Sequence, residues 1–205
     1  MKFLGFVSIL SALPSVVMSS AFAASPIDPD WPCVQPKVPQ MSAAAMWTGP
    51  SIADVGNAWQ DDPKLRDLVA ELAARRTPLD AAEKTIADFI TGNAAEKQDK
   101  AKRLFAGLFD TLSEQRSEVM TGIDRTARKE KGLAEKIRSD VTELHALEDK
   151  PDQDQSKITS LASEVEWSTR IFEDRRKTIR YVCEVPTIIE QRVFTLARAI
   201  QKALN

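Results

Sequence analysis

The chain has 205 residues, and its 28 Lys and Arg against 30 Asp and Glu give a formal net charge of −2. That balance excludes a polybasic nucleic-acid binder and an acidic tail protein, and the length suits a single domain. Seven glycines, little β-branched alternation, and the dominance of Ala, Leu, Glu, Lys, Arg and Gln after residue 60 argue against a sheet protein and for an all-α fold.

Residues 1–23 read as a secretory signal peptide. Lys2 gives a positive start, Phe3 to Val17 is almost wholly apolar, and Ala21-Phe22-Ala23 is a small-x-small site that predicts cleavage after Ala23. The apolar stretch is short for a bilayer span, and no later segment is apolar enough to cross. The expected location is the periplasm or the cell exterior, with no transmembrane segment after cleavage.

Residues 24–60 carry Pro26, Pro29, Pro32, Pro36, Pro39 and Pro50. Proline lacks a backbone donor and disfavours helix at the residue before it, so this stretch is expected as an extended arm. Trp31, Val34, Val38, Met41, Met46 and Trp47 are too apolar for a free linker and should dock on the helices. Ser51 and Asp54 predict a short helix through Trp59. The two cysteines, Cys33 and Cys183, are expected to pair in an oxidising compartment. Neither lies in Cys-x-x-Cys, which argues against a redox-active thiol pair.

Residues 61–205 form the expected helical domain. Asp62-Pro63 is a cap followed by proline at the first helical position, opening a helix that presents Leu65, Leu68, Val69 and Leu72 and stops near Arg76. Thr77-Pro78 repeats the device for a helix presenting Leu79, Ala82, Ile86, Phe89 and Ile90. Gly92 suits a left-handed stop, and Asn93 with Glu96 predicts a capping box for a long helix.

Two apolar stripes follow. One holds Ala101, Phe105, Leu108, Leu112, Val119, Ile123, Ile137, Val141 and Leu144; the other keeps a 3-4 spacing from Ile158 to Ala203. Folding the chain at residues 149–152 pairs Ala101 with Ile200, Leu112 with Ile189, Val119 with Val182, Ile137 with Val165 and Leu144 with Ile158, and the paired numbers keep a near-constant sum. This register predicts a long antiparallel helical hairpin of coiled-coil type over residues 94–204. The two shorter helices should pack beside residues 101–112 and 189–204, making a short four-helix base from which the hairpin projects. Ser168 and Arg175 interrupt the second stripe, facing a stretch from Asp124 to Lys131 that offers only Ala127. Pro186 should bend the last helix.

Catalytic chemistry is sparse. The only histidine, His145, has Glu148 near it and no further ligand pattern, so neither a metal nor another cofactor is implied. There is no Gly-rich phosphate loop, and no Ser/His/Asp set has interpretable spacing. A non-enzymatic protein is expected.

Charge placement says more. In the paired register Arg125, Arg128, Lys129, Lys131, Arg170, Arg175, Arg176, Lys177 and Arg180 form a belt of nine bases against four acids. The tip beyond it, residues 132–169, reverses this with nine acids against four bases. With Trp167, the belt is the candidate binding surface for an envelope protein or an anionic envelope component, and not for nucleic acid. The alternative is a solvated face with local pairs such as Glu173 with Lys177. Trp167 either anchors a partner or covers the gap left by Ser168. Two further readings remain open: a small molecule held among Trp47, Trp59, Phe89, Phe105 and Phe109, and a homodimer through flank positions such as Ile171 and Leu133.

The stretch Asp30-Trp31-Pro32-Cys33-Val34-Gln35, followed by Lys37-Val38-Pro39 and Met46-Trp47, resembles the mature N-terminus of uncharacterised secreted proteins from proteobacteria. The likeness covers about 20 residues and implies export without implying an activity. The expected function is that of a periplasmic adaptor, scaffold or chaperone-like interaction module, with a small-ligand-binding bundle as the alternative.

Overall fold

A computed structural model of the chain describes residues 28–205; the expected signal peptide and its cleavage point at Ala23 lie outside them. The fold is all-α. A short helix α1 (Ala43–Met46) and a 3-10 turn (Ala58–Asp61) precede α2 (Pro63–Ala73), α3 (Leu79–Phe89), α4 (Ala94–Glu148), α5 (Gln155–Val182) and α6 (Val185–Leu204).

Local chemistry starts these helices. The Asp62 carboxylate accepts from the N–H groups of Lys64 and Leu65 at 2.9 and 3.3 Å, with Pro63 at the first helical position. Before α4, Asn93 and Glu96 form a reciprocal capping box, at 3.1 and 3.0 Å. Each bond satisfies an amide donor that the first helical turn cannot. Gly92, at φ +115°, turns the chain between α3 and α4 in a conformation that favours glycine.

Two expected starts differ. The helix foreseen over 51–59 does not form: Gly56 adopts φ +49°, which breaks a right-handed helix, and only the 3-10 turn at Ala58–Asp61 follows. Thr77 does not cap α3; its hydroxyl donates back to the Glu71 carbonyl at 2.7 Å.

The base is a packed core from α2, α3, α6 and the first third of α4. Leu72, Ala82, Ile86, Ala101, Leu104, Ala197 and Ile200 are all 0 % exposed. Arg192 is buried there too, and donates to the carbonyls of Leu72 and Thr77 at 2.7–2.9 Å. A cation at those carbonyls complements the negative end of the α2 dipole, while burial lowers its pKa.

Cross-chain ion pairs report the direction of α5 and α6 along α4. Lys136 meets Glu164 at 2.7 Å, Glu130 meets Arg175 at 3.4 Å, and Arg116 meets Glu190 at 2.6 Å. One number falls as the other rises, so the pairing is antiparallel. The second rod is not one bent helix, however. It breaks between Val182 and Val185, because Pro186 has no N–H to donate to the Val182 carbonyl. Val182, expected on the buried stripe, emerges 37 % exposed at this break.

Burial fades along α4. Beyond Glu130 no residue of α4 is buried, and on α5 only Ser168 and Ile179 are. At 1.5 Å per residue the 55-residue α4 is roughly 80 Å long, and α5 is the one described helix along its far half.

Gly107 and Gly122 separate the two regimes. A Cβ at Gly107 would lie 2.8 Å from Val69 Cγ2 and 2.9 Å from the Trp59 ring, whereas at Gly122 it would meet nothing within 4 Å. Gly107→Ala should therefore destabilise the fold by about 1–3 kcal/mol. Gly122→Ala should stabilise it by roughly 0.5–1 kcal/mol through helix propensity. Chemical denaturation of the two variants checks both signs.

Candidate functional site

The candidate site lies where the N-terminal arm crosses the middle of the α4–α5 pair. Five tethers fix the arm. The Cys33–Cys183 disulfide, with Cα atoms 5.5 Å apart, joins it to the α5–α6 break. Lys37 bridges Asp28 and Asp124, each at 2.8 Å, and sits 5.4 Å from the centre of the Trp31 ring. Lys131 on α4 pairs with Asp30 at 2.8 Å. Lys102 pairs with Asp54 at 2.6 Å. Finally, Arg116, 3 % exposed, donates from Nε to Glu190 on α6 at 2.6 Å and from Nη2 to the Val38 carbonyl at 2.8 Å, with Nη1 3.4 Å from that of Pro39. One guanidinium thus ties α4, α6 and the arm together.

These contacts set the local electrostatics. Hydrogen bonds donated to Asp124 and then to Asp28 hold the Lys37 pKa above the usual lysine value, and the bond from Lys37 holds the Asp28 carboxyl below its own. Asp30 likewise raises Lys131.

Between the arm and the two helices runs a groove of about 690 Å³. Ala127, Ala134, Phe172 and Ile179 form its apolar surface, Pro29, Pro32 and Val34 the arm wall, Lys131, Arg138, Arg176 and Arg180 its cations, and Asp30, Glu130 and Glu135 its acids, of which Asp30 is paired with Lys131 and Glu130 with Arg175. Val34, 101 % exposed, is held in this wall by the neighbouring Cys33. A second, smaller slot of about 360 Å³ is lined by Val119, Gly122, Ile123, Thr126, Arg175, Thr178, Ile179 and Val182. It falls where α5 ends and Val182 leaves the seam.

The belt expected from the sequence is therefore divided. Lys131, Arg176 and Arg180 line the arm-side groove, while Arg175 lines the slot. Arg125, Arg128 and Lys129 are exposed on α4 and line neither. Four belt cations are matched within the chain: Lys131 by Asp30, Arg170 by Glu166, Arg175 by Glu130 and Lys177 by Asp174. Arg176 instead lies 5.7 Å from the Phe172 ring centre. Trp167 is 62 % exposed, while the neighbouring Ser168 is buried.

Arg175 explains its own interruption of the apolar stripe. It reaches Glu130 Oε1 across the seam, and Glu130 is buried with Oε2 lacking a partner among the described residues. Three of the aromatics considered for a small ligand pack on one another, and the Phe89 ring centre lies 5.7 Å from Lys100 Nζ. Trp47 stacks on Phe105 at 4.4 Å and 9°, Phe109 lies 5.9 Å from Phe105, and the Trp59 indole donates to Asp110 at 3.0 Å. None of the described cavities is lined by these residues. His145 is exposed near the far end of α4, and among the described residues no group of three or more His, Cys, Asp or Glu is placed to hold a metal. No described helix is long and apolar enough to cross a membrane.

No protein-family model, curated protein or solved structure matches the chain.

Sequence reasoning missed Arg116 and Arg138. The first left a trace: the α4 stripe runs from Leu112 straight to Val119, and Arg116 occupies the missing turn. Arg138 was counted with the acidic tip because the route of the arm was unknown.

Arg116→Met should cost about 3 kcal/mol, the low end for breaking a buried pair because Glu190 stays 36 % exposed to water. Its denaturation midpoint and loss of amide protection around Val38 check this. Removing the disulfide with Cys33→Ser and Cys183→Ser should cost up to about 5 kcal/mol for so long a loop, with trypsin then cutting at Lys37. Arm docking should be flat with pH between about 5 and 9. The raised Lys37 contributes below the usual lysine pKa and is lost as pH rises through its folded value; the lowered Asp28 contributes above the usual carboxylate value and is lost as pH falls through its own. Trp31 fluorescence against pH reads both edges.

Proposed function

We propose that the chain is an exported, non-enzymatic adaptor, scaffold or chaperone-like module that holds an anionic envelope partner in the arm-side groove. The reading rests on one observation. Arg138, Arg176 and Arg180 surround an apolar floor, and no acid of the described residues lies within 4.0 Å of their guanidinium groups. Unmatched arginines at the edge of an apolar groove favour an occupant with both a negative charge and an apolar surface, because each part then keeps a partner on leaving water. The volume falls within the roughly 300–1,000 Å³ typical of binding clefts.

The stapled arm supports the same reading. Its Pro-rich backbone and five tethers hold one wall of the groove in place before a partner arrives, which lowers the ordering cost of association. The disulfide is compatible with export into an oxidising compartment. In this reading the base keeps the α4–α5 pair rigid and carries no chemistry of its own.

A photo-crosslinking residue in place of Val34 tests the proposal. In envelope extracts it should capture a partner, and capture should fall at least tenfold at high salt and in the Arg176→Glu, Arg180→Glu double variant. Capture indifferent to both changes overturns it.

A further inference from the structure

The face of α4 turned away from the arm carries a second pattern. The arm-side groove is lined on α4 by Ala127, Glu130, Lys131, Ala134, Glu135 and Arg138. About half a helical turn round from these, Arg125, Lys129, Gly132, Lys136, Glu143 and Leu147 form another stripe. Its two ends have opposite charge. Arg125 and Lys129 have no acid within 4.0 Å among the described residues, and Glu143 has no base. At its middle, Lys136 is already neutralised by Asp140 at 2.6 Å and Glu164 at 2.7 Å, which raises its pKa to about 12.

We propose that a second copy of this chain docks here, antiparallel to the first, around a two-fold axis near Lys136 and Trp167. Lys129 and Glu143 each lie seven residues from Lys136, about 10 Å along the helix. An antiparallel copy centred there therefore sets Lys129 against the second copy's acid and Glu143 against its base. Arg125 then falls level with the second copy's Leu147. A parallel copy would stack like charges instead. At whole-segment scale the same arrangement puts each acidic tip beside the other chain's basic belt, and an interface of this symmetry closes without growing into a fibre.

Two further observations sit at the proposed axis. Trp167 is one turn from Glu164, the residue that binds Lys136, and is 62 % exposed. A residue beside a two-fold axis meets its own counterpart, so a single exposed tryptophan becomes a buried aromatic pair. Gly132 is exposed in mid-helix, and a Cβ there would meet nothing within 4 Å. Glycine costs about 1 kcal/mol against alanine at such a position, and no neighbour among the described residues requires it. A second helix backbone approaching closely would. The thin burial beyond Glu130 fits the same picture, since a two-helix pair leaves apolar flanks that further helices can cover. This surface is separate from the arm-side groove, which stays open in the dimer.

Sedimentation velocity on the mature, disulfide-bonded chain tests the inference. The chain should be dimeric, with dissociation at least tenfold stronger at high salt. The Arg125→Glu, Lys129→Glu variant and the Glu143→Lys variant should each be monomeric with unchanged helicity. Mixed in equal amounts, the two should recover a dimer, because each supplies the charges the other now needs. Trp167→Ala should weaken the dimer at least tenfold with the Tm of the monomer unchanged. A wild-type chain that stays monomeric across the concentration range overturns the inference, as does a mixture that fails to associate. Either result leaves the arm-side groove to be judged on its own by the Val34 crosslink.

Discussion

A single helix of 55 residues has more surface than its neighbours can cover, and the organisation of the chain follows from that mismatch. Short partners cover only one end of the long helices: α2 packs on α4 and α3 on α6. There the apolar side chains reach complete burial and the core forms. Farther out α5 is the sole helical companion among the described residues, and two helices in contact exclude water from only a narrow seam. The base therefore supplies stability, while the projecting half supplies surface.

The arm occupies the boundary between those halves. Extended, proline-rich backbone cannot satisfy its own carbonyls through helical bonds. Arg116 takes up two of them, reaching out from α4 while Glu190 on α6 balances its charge. The Cys33–Cys183 bond enters at the break between α5 and α6. The interruption imposed by Pro186, the covalent attachment and the buried guanidinium thus act at one level of the rod. A groove arises there because the arm lies across the helices instead of continuing along the seam.

Electrostatics divides the rod further. Several belt cations are answered by acids of their own helix or of the arm, so net charge counted along a segment overstates what a partner meets. Among the described residues the groove cations Arg138, Arg176 and Arg180 have no acid within 4.0 Å, and neither do Arg125 and Lys129 on the far side. Two different faces of the rod consequently carry cations that no acid of the described residues answers.

Much of this was legible without coordinates. Helix starts at Asp62 and Asn93 are encoded within three or four residues, so a linear reading finds them. The apolar spacing of the long segments and the pairing of two lone cysteines were equally readable, because each is a statement about a period or a count. What only the tertiary structure decided involves residues far apart in sequence: Lys131 with Asp30, Arg116 with Val38 and Pro39, and Arg175 with Glu130. Their geometry depends on where the arm crosses the rod, which no local preference encodes. The break after Val182 also needed the fold, since a proline in a helical pattern permits either a bend or an interruption. Short-range hydrogen bonding and hydrophobic period are properties of the chain itself; the groove, its free charges and its wall exist only once distant segments are brought together.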